Sequence, residues 1–147
     1  MTHIYLRVLE VSTGSFYLKE KDELRICATV LPAHERKAKY ISAKNLRHVD
    51  SLWEFEAADP SQLMISLRKK DWIMSNPLIG VAVLNINLLE LNKVSDMVLT
   101  AQSRKTLLDY AAIRMQVHID TIGAPPFTAE EVTIQYIPPT EFPKVTP

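Results

Sequence analysis

Glycine is scarce in this chain of 147 residues: Gly14, Gly80 and Gly123 are the whole supply. That shortage excludes a phosphate-cradling loop and a dinucleotide fingerprint, both of which need clustered glycines. Cysteine is scarcer still. Cys27 alone cannot build a disulfide framework, and it suits a reducing, cytoplasmic setting. Excess charge of either sign is also missing, since 17 Lys and Arg balance 17 Asp and Glu. A global electrostatic attraction to nucleic acid is thereby absent. The opening MTHIYLRVLE carries Arg7 and Glu10 and no long apolar run, so it reads as neither signal peptide nor membrane span. The four histidines (His3, His34, His48, His118) have no metal-ligand spacing, and no nucleophile elbow is present. No enzyme, metal centre or cofactor is expected.

What remains is alternation. With 47% hydrophobic and 23% charged residues, the chain can bury a core as one domain. Short segments of period two recur along it: His3–Val11, Glu23–Val30, Lys39–Ala43, Ser51–Ala57, Gln62–Leu67, Leu78–Asn85, a weaker Met97–Thr100, and Ala112–Ile122. One buried and one wet face per segment is the pattern of antiparallel sheets, and many such segments without long helical periods predict an eight-stranded antiparallel β-sandwich. The predicted core is Ile4, Leu6, Val8, Leu24, Ile26, Trp53, Phe55, Leu63, Ile65, Leu67, Ile79, Val81, Val83, Val117 and Ile119. Cys27 falls in phase with Glu23 and Arg25 and is expected at the surface or an edge. Helical turns are expected at Leu88–Asn92 and Thr106–Ala111.

Six of the nine prolines lie in Ala124–Pro147, where only Val132–Ile137 could add an edge strand. The expected division is a sandwich over residues 1–122 and an extended tail or linker over 123–147. The tail lacks a P-x-x-P spacing, because Pro139 and Pro143 are four apart, which favours a linker over a recognition ligand.

The order of pieces resembles the C2 domain family of protein kinase C and synaptotagmin. Trp53-Glu54-Phe55-Glu56 is followed by Leu63-Met64-Ile65-Ser66-Leu67, a loop, the returning Leu78-Ile79-Gly80, and Asn87-Leu88-Leu89-Glu90-Leu91. The resemblance implies an eight-stranded sandwich over about Thr2 to Ile122 that binds membranes or proteins through loops at one end. Its calcium-binding loop would carry aspartates where this chain has Lys69, Asp71 and then Asn76 or Pro77, with Asp22 near the position of the other loop's aspartate. Calcium takes six to eight oxygens, several of them anionic. A lysine at a ligand position implies calcium-independent action.

Two candidate surfaces follow. The first is the loop Arg68, Lys69, Lys70, Asp71, Trp72, Ile73, Met74, a charged stem with an apolar tip. Three readings stay open for it: packing against the sandwich, an anchor on an unidentified protein partner, or insertion into an anionic membrane surface. The second is a basic set of Arg36, Lys37, Lys39 and Lys44, in a stretch from His34 to His48 that also carries Arg47. By the resemblance it could be a phosphoinositide patch, although lysines on an edge strand serve equally to block aggregation. The function expected is a non-catalytic module for protein contacts within a larger protein or assembly, the alternative being an adaptor peripheral to a membrane or cytoskeleton.

Overall fold

The computed structural model describes residues 2–13, 18–33, 35–70, 78–102, 110–124, 126 and 132–133. Its long strands are β1 (Thr2–Ser12), β2 (Glu23–Leu31), β3 (Glu35–Ser42), β4 (Ser51–Ala57), β5 (Gln62–Lys69), β6 (Leu78–Asn85), β7 (Val94–Gln102) and β8 (Tyr110–Asp120). Their order, β3-β2-β5-β6-β7-β8-β1-β4, is antiparallel throughout. One pair, Val81 with Gln102, joins β6 to β7. The path therefore divides there into two four-stranded sheets, which face each other as the expected sandwich.

Alternating side chains from both sheets fill the space between them. Ile4, Leu6 and Val8 of β1, Leu24, Ile26, Ala28 and Val30 of β2, and Leu63, Ile65 and Leu67 of β5 are all buried. Trp53 and Phe55 of β4 complete the layer. A shift in pairing between Val8 and Glu10 moves β1 out of phase, so Val11 rather than Glu10 returns to the core.

The predicted core needs one correction. Val81 and Val83 are only half-buried, while Ala82 and Leu84 face inward. The cause is an irregularity where Leu67 pairs with Gly80 but Arg68 with Leu78, which resets the alternation after Ile79. Gly80 has a steric reason of its own. A Cβ there would lie 3.0 Å from the carbonyl carbon and oxygen of Ala101, where β6 and β7 close the corner. Only a residue without a side chain allows that approach.

Cys27 is a second correction, being buried rather than on the surface. It sits on a central strand, flanked by Ala38 of β3 and Ser66 of β5. The expected turn at Leu88–Asn92 is observed earlier, as a 3-10 turn over Ile86–Leu88 capped by the Asn85 side chain. In the other expected turn, Tyr110 and Ala111 belong to β8, and residues 106–109 lie outside the described residues.

Two described pieces of chain beyond residue 124 lie against the sandwich. The Pro126 carbonyl accepts a hydrogen bond from His118 Nδ1 at 2.5 Å. Further on, β9 (Val132–Thr133) pairs in parallel with Val94 and Ser95 of β7. This explains a burial that alternation did not predict: His118 and Asp120 lie on the outer side of β8, yet both are fully buried. The Asp120 carboxylate accepts from the backbone amides of Ile122, Gly123 and Ala124. Burial pushes this carboxyl up, but the three amides and the neighbouring His118 outweigh it and hold the pKa below the usual range.

Candidate functional site

Strand direction fixes which loops share an end. The amide of Lys70 bonds Glu23 O, and the amide of Ala43 bonds Asp22 O. The segments around residues 19–23, 43–50 and 70 therefore meet at one end of the sandwich. The segment 43–50 is sewn to β1 by Val11 N to Leu46 O and Val49 N to Leu9 O, at 2.8 and 3.0 Å. The opposite end carries 32–33, 58–61, 86–93 and 121–124. There Asn92 and Thr121 bond through both side chains and the Thr121 amide.

The stem of the candidate loop is built of ion pairs. Lys69 Nζ lies 3.7 Å from Asp22, and Lys70 Nζ lies 3.1 Å from Glu23. The backbone amide of Lys19 also donates to Asp22, at 2.7 Å. Lys70 Nζ stands over the Tyr40 ring as well, 4.8 Å from its centre. Asp22, which stands near a calcium position by the resemblance, thus faces an ammonium group, as does its neighbour Glu23. Among the described residues no group of three or more His, Cys, Asp or Glu could hold a metal. Arg68 is half-buried at the head of this stem and paired across β2 with Arg25. Asp71, Trp72, Ile73 and Met74 lie outside the described residues.

The basic set separates into two surroundings. Register places Lys37 and Lys39 opposite Ala28 and Ile26, on the core side of edge strand β3. They reach across to the other edge of the sandwich. Lys37 Nζ bonds the Glu54 carbonyl, and Lys39 Nζ bonds Leu52 O at 3.2 Å. Each ammonium also stands over a core aromatic, Lys37 at 5.4 Å from Phe55 and Lys39 at 5.5 Å from Trp53. These two lysines close the seam between β3 and β4. Arg36 is exposed on the outer side of β3. Lys44 lies elsewhere, on the 3-10 turn Ala43–Asn45 that follows β3. With Arg47 it borders an open cleft of about 400 Å³.

Arg47 belongs by sequence to the same basic stretch between His34 and His48. Its signal was its spacing, three residues after Lys44.

Neither a family model nor a curated protein matches the sequence. Solved structures do. A C2 domain of plant extended synaptotagmin 1 superposes with a TM-score of 0.67 at 15% identity, over 83% of this chain and 96% of that one. This chain has the C2-domain fold. CC2D1B gives a TM-score of 0.63 at 8% identity, over 80% of this chain and 54% of that one. Human GIVD cytosolic phospholipase A2 also gives 0.63, at 10% identity, but only 17% of that enzyme is covered. The likeness therefore lies outside most of the phospholipase chain and carries no argument for catalysis. No described helix of this chain is long and apolar enough to cross a membrane.

Proposed function

We propose that this C2 fold serves as a non-catalytic, calcium-independent docking module, meeting an anionic surface with the end that carries residues 19–22, 43–50 and 70. The observation that carries the reading is the Lys69–Asp22 and Lys70–Glu23 pairing. Calcium would have to displace two ammonium groups and would find too few carboxylates. These pairs fill the metal's place without leaving net charge, so the positive charge that meets an anionic partner comes from Lys44 and Arg47, exposed at the same end. Likeness to part of a cytosolic phospholipase, an enzyme named for a lipid substrate, supports a lipid surface. Each cation close to an anionic leaflet contributes about 1 kcal/mol, which gives reversible, salt-sensitive binding.

A second reading, docking on a protein, has its own observation at the opposite end. Leu88, Leu91 and Ile122 are exposed there, and the Asn92–Thr121 bonds hold their two segments side by side. Sedimentation with vesicles separates the readings. The module should pellet with phosphatidylserine vesicles equally in chelator and in millimolar calcium, and stay in solution with phosphatidylcholine alone. Failure to pellet with any vesicle would favour the protein contact, and pelleting only with calcium would refute the calcium-free reading.

A further inference from the structure

The cleft beside the 3-10 turn is a built feature. Its floor is apolar and fixed: Val11 and Leu46 are buried, and the Val11 amide bonds the Leu46 carbonyl at 2.8 Å. Its rim is polar, lined by Ser12 and Thr13 on the β1 side and by Lys44 and Arg47 on the segment that follows β3. A single carboxylate, Glu10, stands against the two cations. Among the described residues Lys44 and Arg47 enter no ion pair, whereas Lys37, Lys39, Lys69 and Lys70 are all engaged. A fixed apolar floor, hydroxyl-bearing residues on one side and two cations outside any described ion pair on the other suit a compact anion.

We infer that this cleft binds a phosphate monoester, presented by a lipid headgroup at the docking surface. The dianionic monoester carries about −1.5 to −2 charge and three acceptor oxygens. The planar guanidinium of Arg47 matches two of those oxygens, and Lys44 serves as a point charge. Ser12 and Thr13 donate to what remains. The cleft volume of about 400 Å³ accommodates a headgroup. A carboxylate or phosphodiester, with less charge, would use fewer of these groups. The inference rests on the anionic-surface reading for the source of the phosphate, not for the site.

The test uses the whole chain and two probes. Vesicles containing phosphatidic acid are compared with phosphatidylserine vesicles of matched charge, and soluble glycerol 3-phosphate is titrated while backbone amide resonances are followed. We expect a preference of about tenfold for phosphatidic acid, and amide shifts at Ser12, Thr13, Lys44 and Arg47. Lys44→Gln with Arg47→Gln should abolish both while the melting temperature holds. Thr13→Val, which keeps every charge, should reduce the preference severalfold. The control pair Arg36→Gln with Lys93→Gln should leave the preference intact.

Vesicle binding without the preference, unchanged in the double variant, would overturn the cleft and leave the surface reading standing. Amide shifts confined to the cleft without vesicle binding would uphold the cleft, with a free phosphate compound as its ligand, and remove the surface reading. Equal loss of the preference in the control pair would also overturn the cleft, because bulk charge would then explain it.

Discussion

The seam and the cleft are both edged by cations from the same stretch of chain, yet they treat those cations oppositely. At the seam, Lys37 and Lys39 close the sandwich by bonding β4 carbonyls and covering Phe55 and Trp53. At the cleft, Lys44 and Arg47 stand exposed over a buried floor. The lesson is that a basic patch is defined by what its nitrogens already bond. Seam lysines satisfy edge carbonyls, mask aromatic surface and put inward-facing charge on an edge strand. Cleft cations contribute little to folding and remain able to meet an anion.

The largest effect expected at the seam comes from its aromatic floor. Trp53→Ala should cost about 3–5 kcal/mol in denaturant unfolding, because the ring is almost completely buried. A loss below about 1 kcal/mol would show that Lys39 covers a site that contributes little.

Asp120 is an anion committed to the fold in the same way. Its pKa falls on folding, so its stabilisation is complete above the unfolded carboxylate value of about 3.9 and fades as pH drops through the lower folded value. Asp120→Asn should therefore cost about 1–3 kcal/mol at neutral pH, and the two stability curves should converge under acid. Parallel curves across the acid range would contradict the role given to the charge.

The smallest effect tests whether the loop stem belongs with the seam. Millimolar calcium should leave the melting temperature unchanged, since Lys69 and Lys70 already neutralise Asp22 and Glu23. A ligand that binds the folded state alone must stabilise it, so an upward shift would reveal a metal site.

The sandwich was legible because its inner faces obey period two, and Ile4, Leu6, Leu24, Ile26, Leu63 and Ile65 are buried as that pattern predicts. Legibility ended where alternation is broken by long-range geometry. Gly80 is the local hint of the irregular pairing that turns Val81 and Val83 outward, but a lone glycine does not say which residues it re-aims. Cys27 was misplaced because alternation identifies a strand's two faces but not whether the strand is central. Burial of His118 and Asp120 depends on chain that returns from beyond residue 120, through Pro126. The basic set was legible as composition only. Lys37, Lys39 and Lys44 look alike in sequence, and a three-dimensional register is needed to place the first two on the core side and the third beside Arg47.

The most direct test of this account measures two double variants side by side, each for unfolding free energy and for affinity toward anionic vesicles at a temperature where both are folded. Lys37→Gln with Lys39→Gln should lose about 1–2 kcal/mol of stability and keep vesicle affinity near the parent value. Lys44→Gln with Arg47→Gln should change stability by no more than about 0.5 kcal/mol and lose about tenfold or more in affinity. The reverse pattern, with vesicle binding lost at the seam and stability lost at the cleft, would contradict the account.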